Sequence, residues 1–185
     1  VYKRQPPART PSQPAASADQ PLPGFQYARS RFEELADLAL AHAKQLGAAD
    51  AGVDVSEGSG LSVSVRKGEL ENVERNRDKS LGVTVYLGQR RGNASTSDFS
   101  PGAIRQTVQA AYDIARFTAE DPAAGLPDAQ DIADTYPDLD LFHPWAITSD
   151  EAVKLALACE DAAFATSKKV SNSEGASVSA QQSHF

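Results

Sequence analysis

The amino-acid sequence predicts an α+β fold, an antiparallel β-meander flanked by helices. Between residues 51 and 97, apolar and polar side chains alternate with the period of two that is typical of half-buried strands. Glycines interrupt this alternation at the places where tight turns are expected. Before and after the meander, apolar residues recur instead at the spacing of an amphipathic helix.

A first helix is predicted to begin near Ser30. The Ser30 hydroxyl and the Glu33 carboxylate have the spacing of a capping box, in which each satisfies a free backbone N–H. Apolar residues then follow at helical spacing: Phe32, Leu35, Ala36, Ala39, Ala43 and Leu46. Gly47 is predicted to end the helix in the left-handed conformation.

Five short strands are predicted for the meander, one face of which would be buried and the other solvated. Turns are predicted at Gly58-Ser59-Gly60, at Lys67-Gly68 and at Gly88. The predicted strands cover residues 51–55, 61–65, 70–76, 81–87 and 92–97.

Two more helices are predicted after the meander. Ser100 and Pro101 suit the cap and first turn of one helix, and its buried stripe would be Ile104, Val108, Ala111 and Ala115. Thr148 and Glu151 repeat the capping-box spacing and open the other helix. The apolar face predicted for this third helix is Ala152, Leu155, Ala156, Cys159 and Ala163. Residues 120–144 are acidic and rich in proline, which predicts an irregular connection.

Three regions are predicted along the chain. Residues 1–29 contain six prolines and few large apolar side chains, which indicates a disordered arm or a non-native extension. Residues 30–147 form the α+β domain with its acidic connection. Residues 148–185 are expected to start a following, truncated region. Because the sequence has no methionine, we expect it to be part of a longer reading frame.

Composition excludes several classes of function. The formal net charge of -7 opposes nonspecific binding to a phosphate backbone. The sequence contains no apolar run of about 18 residues, so no membrane-spanning helix is predicted. A single cysteine cannot form an internal disulfide, which fits a cytoplasmic location.

The residues that could carry catalysis are scattered. His42, His143 and His184 lack a second histidine or a cysteine at metal-ligand spacing. The segment 95–98 places hydroxyls beside a carboxylate, but it is better explained as turn and cap residues before the Pro101 helix. Residues 138–140 lack most positions of a calcium loop. No catalytic, cofactor or metal site is therefore predicted in this chain.

One group of charged residues is a candidate for binding a partner. Side chains of both signs line the predicted hairpins, and the candidate partner-binding residues among them are Arg66, Arg75, Arg77, Arg90 and Arg91. Arginine-rich surfaces of mixed charge suit specific association. The alternative is that these charges keep a free sheet edge in solution.

The amino-acid sequences of several segments, taken in order, resemble the N-terminal domain of the TldD/PmbA family. The segments are RKGELENVE at 66–74, DKSLGVTVY at 78–86, GQRRGNASTSD at 88–98, TAEDP at 118–122, GLPD at 125–128 and SNSEGA at 171–176. The resemblance runs from about residue 30 to the end of the chain and is strongest to the PmbA-type (TldE-like) branch.

The resemblance implies a function in cytoplasmic proteolysis, including the maturation of microcin-type peptides and the degradation of an antitoxin. TldD-type chains carry a zinc site with a HExxxH motif, whereas PmbA-type chains lack those ligands and pair with a TldD-type chain. We therefore expect a noncatalytic subunit that forms a hetero-oligomer with a TldD-type protein, or associates with itself, and acts on peptides or unfolded proteins. Zinc is expected in the partner. The alternative is a regulatory or peptide-binding module without proteolysis, similar to a modulator of DNA gyrase.

Overall fold

A computed structural model describes residues 19–132, 137 and 139–185, and it confirms the α+β prediction. Four antiparallel strands form one sheet in the order β3-β2-β1-β4. The elements are α1 (Arg29–Gln45), β1 (Asp50–Arg66), β2 (Glu69–Leu87), β3 (Arg90–Thr96), α2 (Pro101–Phe117), a short 3-10 turn (Ala129–Asp131), α3 (Ser149–Thr166) and β4 (Ala176–His184). None of the helices within these ranges is long and apolar enough to cross a membrane.

The meander has fewer and longer strands than predicted. The turn predicted at Gly58-Ser59-Gly60 is wrong, because Gly58 pairs with Asp78 and Gly60 pairs with Asn76 inside one continuous ladder. A Cβ at Gly60 would lie 2.5 Å from the Asn76 side-chain oxygen. The glycine therefore permits close cross-strand packing rather than a turn.

The turn between β1 and β2 is where the sequence predicts it. Lys67 and Gly68 have φ angles of 54° and 78°, the conformation of a two-residue type I′ hairpin. Gly88 also has a positive φ, of 61°, and turns the chain from β2 into β3.

The larger hydrophobic core lies on one half of the sheet. This near half comprises residues 50–56 of β1, residues 80–87 of β2 and all of β3, and α1 and α2 cover it. The predicted stripe of α2 is confirmed, since all four of its residues are fully buried. A Cβ at Gly92 would collide with the backbone of Ala111 and Ala115, so α2 lies directly on β3 at this glycine. The buried members of this core are Phe32, Leu35, Ala39, Ala43, Val55, Leu81, Val83, Val85, Phe99, Ile104, Val108, Ala111 and Ala115.

The other half carries a smaller core under α3. This far half comprises residues 57–66 of β1, residues 69–79 of β2 and all of β4. Leu61, Val63 and Ala152 are its buried cluster. Because β4 pairs with the far part of β1, the two regions that we predict on either side of residue 148 contribute strands to one continuous sheet.

The predicted apolar face of α3 is wrong at three of its five positions. Ala152 and Ala156 are buried, but Leu155, Cys159 and Ala163 are exposed. Helix α3 is rotated because Glu160 points inward, where only 2% of it is exposed.

Glu160 fastens α3 to the hairpin turn. Its two carboxylate oxygens accept hydrogen bonds from the N–H groups of Lys67 at 2.9 Å and Gly68 at 2.8 Å. The Gly68 N–H, the Ser173 hydroxyl and the Lys67 N–H hold the pKa of Glu160 below its usual value. A carboxylate thus lies on the buried face of α3, for which apolar side chains were predicted, and it accepts hydrogen bonds from the two backbone N–H groups of the turn.

The helix caps agree with prediction at two of three starts. Ser100 accepts from the Ala103 N–H, and Thr148 and Glu151 form the complete capping box. The box predicted at Ser30 is wrong, because α1 starts one residue earlier at Arg29 and its cap residue, Ala28, has no side-chain hydrogen bond. At the other end of α1, Gly47 has a φ of 86° and stops the helix as predicted.

The segment before α1 is packed against the domain. Phe25 is only 8% exposed, and its ring lies 5.8 Å from Phe142 and 5.5 Å from His184, measured between centroids. The predicted arm is therefore wrong for residues 25–29, which belong to the fold. The part of that prediction that concerns residues 1–18 lies outside the described residues.

A buried carboxylate holds this segment in place at the junction of the two halves. Glu57 is 2% exposed and accepts hydrogen bonds from the Gln26 N–H, at 2.9 Å to each oxygen, and from the Tyr27 N–H at 3.1 Å. A buried carboxylate without such donors would be strongly destabilising. The entry of the chain into α1 and the charge in the sheet therefore depend on each other.

His184 closes the same junction from β4. It pairs with Glu57 in the sheet register, and its ring stacks on Phe32 at a centroid distance of 4.7 Å. Its Nδ1 atom is buried without a hydrogen-bond partner. Burial lowers the pKa of His184; the Glu57 carboxylate opposes this effect and the Arg29 guanidinium adds to it.

We predict that removing residues 19–29 destabilises the domain. A chain that begins at Ser30 loses the Phe25 ring and the donors to Glu57, so we expect a loss of about 3–5 kcal/mol. The thermal midpoint should fall by roughly 10 °C relative to a chain that begins at Asp19. Equal midpoints for the two chains would contradict the role assigned to this segment.

We predict that His184 makes stability depend on pH. Its pKa is lowered in the folded state, so the unfolded chain takes up a proton first as the pH falls below about 6.5. Stability should therefore be highest above that pH and decrease towards pH 5.5. Urea unfolding at pH 7.5, 6.5 and 5.5 should show this decrease in the parent chain and a smaller one in His184→Phe, which keeps the stacked ring. An identical pH dependence in both proteins would exclude His184 as its source.

Candidate binding groove

A groove of about 1100 Å³ lies on the far half of the sheet. Its floor includes Leu61 of β1 and Ala180 of β4, which are cross-strand neighbours. Segments 22–24 and 141–147 line it as well. The strand residues that line it belong to the far-half parts of β1, β2 and β4, and none of the lining residues belongs to α1, α2 or α3.

Two guanidinium groups line the groove. Arg75 and Arg77 are separated by one residue in β2, so their side chains point to the same face of the sheet. Arg75 donates to the Ser149 hydroxyl at 3.1 Å, and Arg77 donates to the Gly24 carbonyl at 3.3 Å. Because a guanidinium carries five N–H groups, each arginine has donors left for a ligand.

Apolar and aromatic side chains complete the lining. Trp145 is 58% exposed and Leu141 is 81% exposed, although both belong to the segment that borders the groove. An exposed indole beside two guanidinium groups can bind a segment that carries both a carboxylate and an apolar side chain. The groove is therefore suited to binding.

The five arginines selected from the sequence do not form one surface. Arg66 lies at the hairpin tip, where it donates to the Ser173 carbonyl at 3.4 Å and faces Glu174 at 3.9 Å. Arg90 donates to the Arg116 carbonyl and to Glu120, at 3.1 and 3.2 Å, and Arg91 is exposed beside it in β3.

Position along β2 separates the arginines into distant groups. Arg90 pairs with Leu87, ten residues along β2 from Arg77, which corresponds to roughly 30 Å. Arg75 and Arg77 are therefore the only two of the five that line the groove.

The histidines are distributed over three places. His42 in α1 has its Nδ1 atom 3.4 Å from the Gln45 side chain, His143 lies 4.0 Å from Asp140, and His184 stacks on Phe32. Within residues 19–132, 137 and 139–185, no group of three or more His, Cys, Asp or Glu side chains could hold a metal ion. The side chains in the described part of the chain thus do not fit a zinc site.

The hydroxyl-rich segment before α2 has structural contacts. Asp98 accepts a hydrogen bond from the Ser100 N–H at 2.8 Å, and the Thr96 hydroxyl accepts from the Asp98 N–H at 3.0 Å. These contacts form the turn that leads into the helix cap, as the sequence analysis expects.

Sequence reasoning missed the aromatic wall of the groove. Phe142 and His143 lie in the stretch 120–144, which the sequence predicts only as an irregular connection, and Trp145 directly follows it. A signal was present, because three ring-bearing side chains within four residues are unusual for a solvated linker. Their position opposite Arg75 and Arg77 could not be read from the sequence, since residues 146–185 must first fold against the sheet.

Comparison with known proteins identifies the family of the chain. Residues 51–115 match the family model described as PmbA/TldA metallopeptidase domain 1. The chain is 51% identical to Metalloprotease PmbA of Escherichia coli O157:H7 over 148 residues, which are 80% of this chain and 32% of that protein. It is 49% identical to the Metalloprotease PmbA homolog of Haemophilus influenzae over 129 residues, 70% of this chain and 29% of that protein. The chain thus spans about a third of the length of these relatives.

Solved structures share the fold. A protein described as a modulator of DNA gyrase from Bacteroides thetaiotaomicron superposes with a TM-score of 0.65 at 21% identity, covering 82% of this chain and 34% of that chain. TldE from Thermococcus kodakarensis superposes with a TM-score of 0.54 at 15% identity, covering 83% of this chain and 37% of that one. The sequence identities and the matched domain show that this chain belongs to the TldD/PmbA family.

Proposed function

We propose that this chain is the first domain of a noncatalytic, PmbA/TldE-like subunit of a cytoplasmic TldD/TldE-type metalloprotease that acts in proteolysis and peptide maturation. The observation that carries the proposal is the 51% identity to Metalloprotease PmbA over 148 residues. In this proposal the zinc ion and the hydrolysis belong to a TldD-type partner. The domain described above contributes binding surface.

The groove is the part of the domain that we assign to binding. Arg75 and Arg77 supply charge and directional donors, while Trp145 supplies apolar area with little conformational entropy to lose. An extended peptide or a segment of the TldD-type partner with an acidic side chain would satisfy both features. The exposed Leu141 supports the assignment, because large exposed apolar side chains beside a groove favour association.

The alternative is a regulatory role without proteolysis. Two of the solved structures with this fold are described as modulators of DNA gyrase. Their identities to this chain are 21% and 17%. At identities this low, structural similarity supports a shared fold and not a shared function. Proteolysis therefore remains the first proposal.

A reconstitution experiment tests the noncatalytic assignment. The full-length protein, a TldD-type protein and their mixture are each purified, loaded with zinc and assayed for peptide cleavage and for zinc content. We expect cleavage by the mixture and no stoichiometric zinc on the full-length protein alone. If the full-length protein alone binds one zinc per chain and cleaves peptides, it is an enzyme in its own right and the proposal fails.

A pair of charge reversals tests the groove as an association surface. In the full-length protein, Arg75→Glu with Arg77→Glu should weaken binding to the TldD-type partner about tenfold or more, because two donors to an acidic segment become repulsive. Arg90→Glu with Arg91→Glu changes the charge equally at the other end of β2 and should have a smaller effect.

Binding is measured by titration calorimetry after circular dichroism confirms that each variant is folded. Loss of binding only in the second pair would place the contact near β3. Unchanged binding in both pairs would exclude the arginines altogether.

A further inference from the structure

The two halves of the sheet are covered unequally. In the near half, two helices cover the three strands β3, β2 and β1, and the facing residues Leu81, Val83 and Val85 are at most 2% exposed. In the far half, α3 is the one helix over the three strands β2, β1 and β4, and segments 22–24 and 141–147 border the groove beside it. A helix is about 10 Å wide and strands are about 4.8 Å apart, so one helix covers roughly two strands.

The uncovered area lies over β2. Val73 pairs with Val63, and Leu70 pairs with Val65. Directly paired residues point to the same face of a sheet, so all four side chains belong to the covered face. Val63 and Val65 are fully buried, whereas Val73 is 41% exposed and Leu70 is 53% exposed. Helix α3 contacts β1 and β4 far more than β2.

This shelf, defined by Leu70 and Val73, is bounded at both ends by polar contacts. At one end, Arg75 donates to the Ser149 hydroxyl at the start of α3. At the other end, Glu160 holds the Lys67-Gly68 turn. An apolar strip between two fixed polar borders has the form of an internal packing face left without its cover.

We propose that an apolar helix from a later part of the same chain packs on the shelf of Leu70 and Val73, beside α3. The matched family model is a first domain, and the 148 aligned residues make up only 32% of the relative's length, so further domains are available to supply the helix. The near half, with two helices on three strands, supplies the structural precedent. The inference does not depend on the proposed catalytic role.

The charge pattern of β2 favours permanent cover by the same chain. Around the shelf, Glu69, Asn72 and Glu74 pair with Arg66, Ser64 and Ser62 on the opposite face, so the covered face of β2 carries Leu70 and Val73 between the Lys67-Gly68 turn and Arg75. Apolar faces that are always covered belong to intramolecular or obligate contacts, whereas transient surfaces carry more charge in their centre.

Single-cysteine labelling of the full-length protein tests the proposal. Val73→Cys and, as a matched control one residue away on the opposite face, Asn72→Cys are introduced into a chain with its other cysteines replaced. Maleimide labelling is followed by mass spectrometry in native buffer and in denaturant. We expect Val73→Cys to react at least tenfold more slowly when native than when denatured, and Asn72→Cys to react at nearly equal rates.

A dilution series identifies the occupant. Cover by the same chain gives protection of Val73→Cys that is independent of concentration from about 50 µM to 50 nM, spanning the range in which a typical dimer dissociates. Protection that disappears on dilution would assign the shelf to a second copy and overturn the proposal. Equal labelling of both variants in the native protein would show that the shelf is open and would also overturn it.

Discussion

Everything else in this fold is arranged around the pairing of β1 with β2. The ladder runs from Asp50 to Arg66 with one irregularity, near Ser64, and so exceeds the length that a single helical layer covers. The chain therefore builds two cores on one hairpin, with α1 and α2 over one half and α3 over the other. The groove lies on the far half, where the strands meet segments 22–24 and 141–147.

The two halves of the sheet meet at a buried charged side chain, that of Glu57, which needs hydrogen-bond donors at defined positions. Glu57 is buried in the middle of β1, and the backbone donors of Gln26 and Tyr27 are what make its burial tolerable. Lys79, its cross-strand partner, lies 4.8 Å above the Phe99 ring and donates to the Tyr27 hydroxyl at 2.9 Å. Glu160 repeats the same device at the hairpin tip. In both places a carboxylate fixes a turn or an entering segment by accepting N–H groups, which apolar packing alone would leave unsatisfied.

Local rules predicted the parts of the fold that local chemistry decides. The caps at Ser100 and Thr148, the stop at Gly47 and the turn at Gly68 depend on a few neighbouring residues, and the structure confirms them. The errors fall where distant residues decide. Gly60 resembles a turn until Asn76 and Gln181 are placed across from it, and the inward face of α3 is set by Glu160 meeting a turn 92 residues away. The groove could not be predicted for the same reason, since Arg75 of β2 and Trp145 line it together only after the segment before α3 has folded against the sheet.

Family membership and the side chains that line the groove each give information about the function. The identity to PmbA proteins associates the chain with a metalloprotease family, the described residues provide no cluster of metal ligands, and the groove offers guanidinium groups and an indole. Guanidinium groups and an indole recognise charge and apolar area. Buried charge also fixes the elements next to the groove. Glu57 binds the segment that continues from residues 22–24, which line the groove, and Glu160 fastens α3 to the hairpin turn, which apolar packing alone would leave with unsatisfied N–H groups.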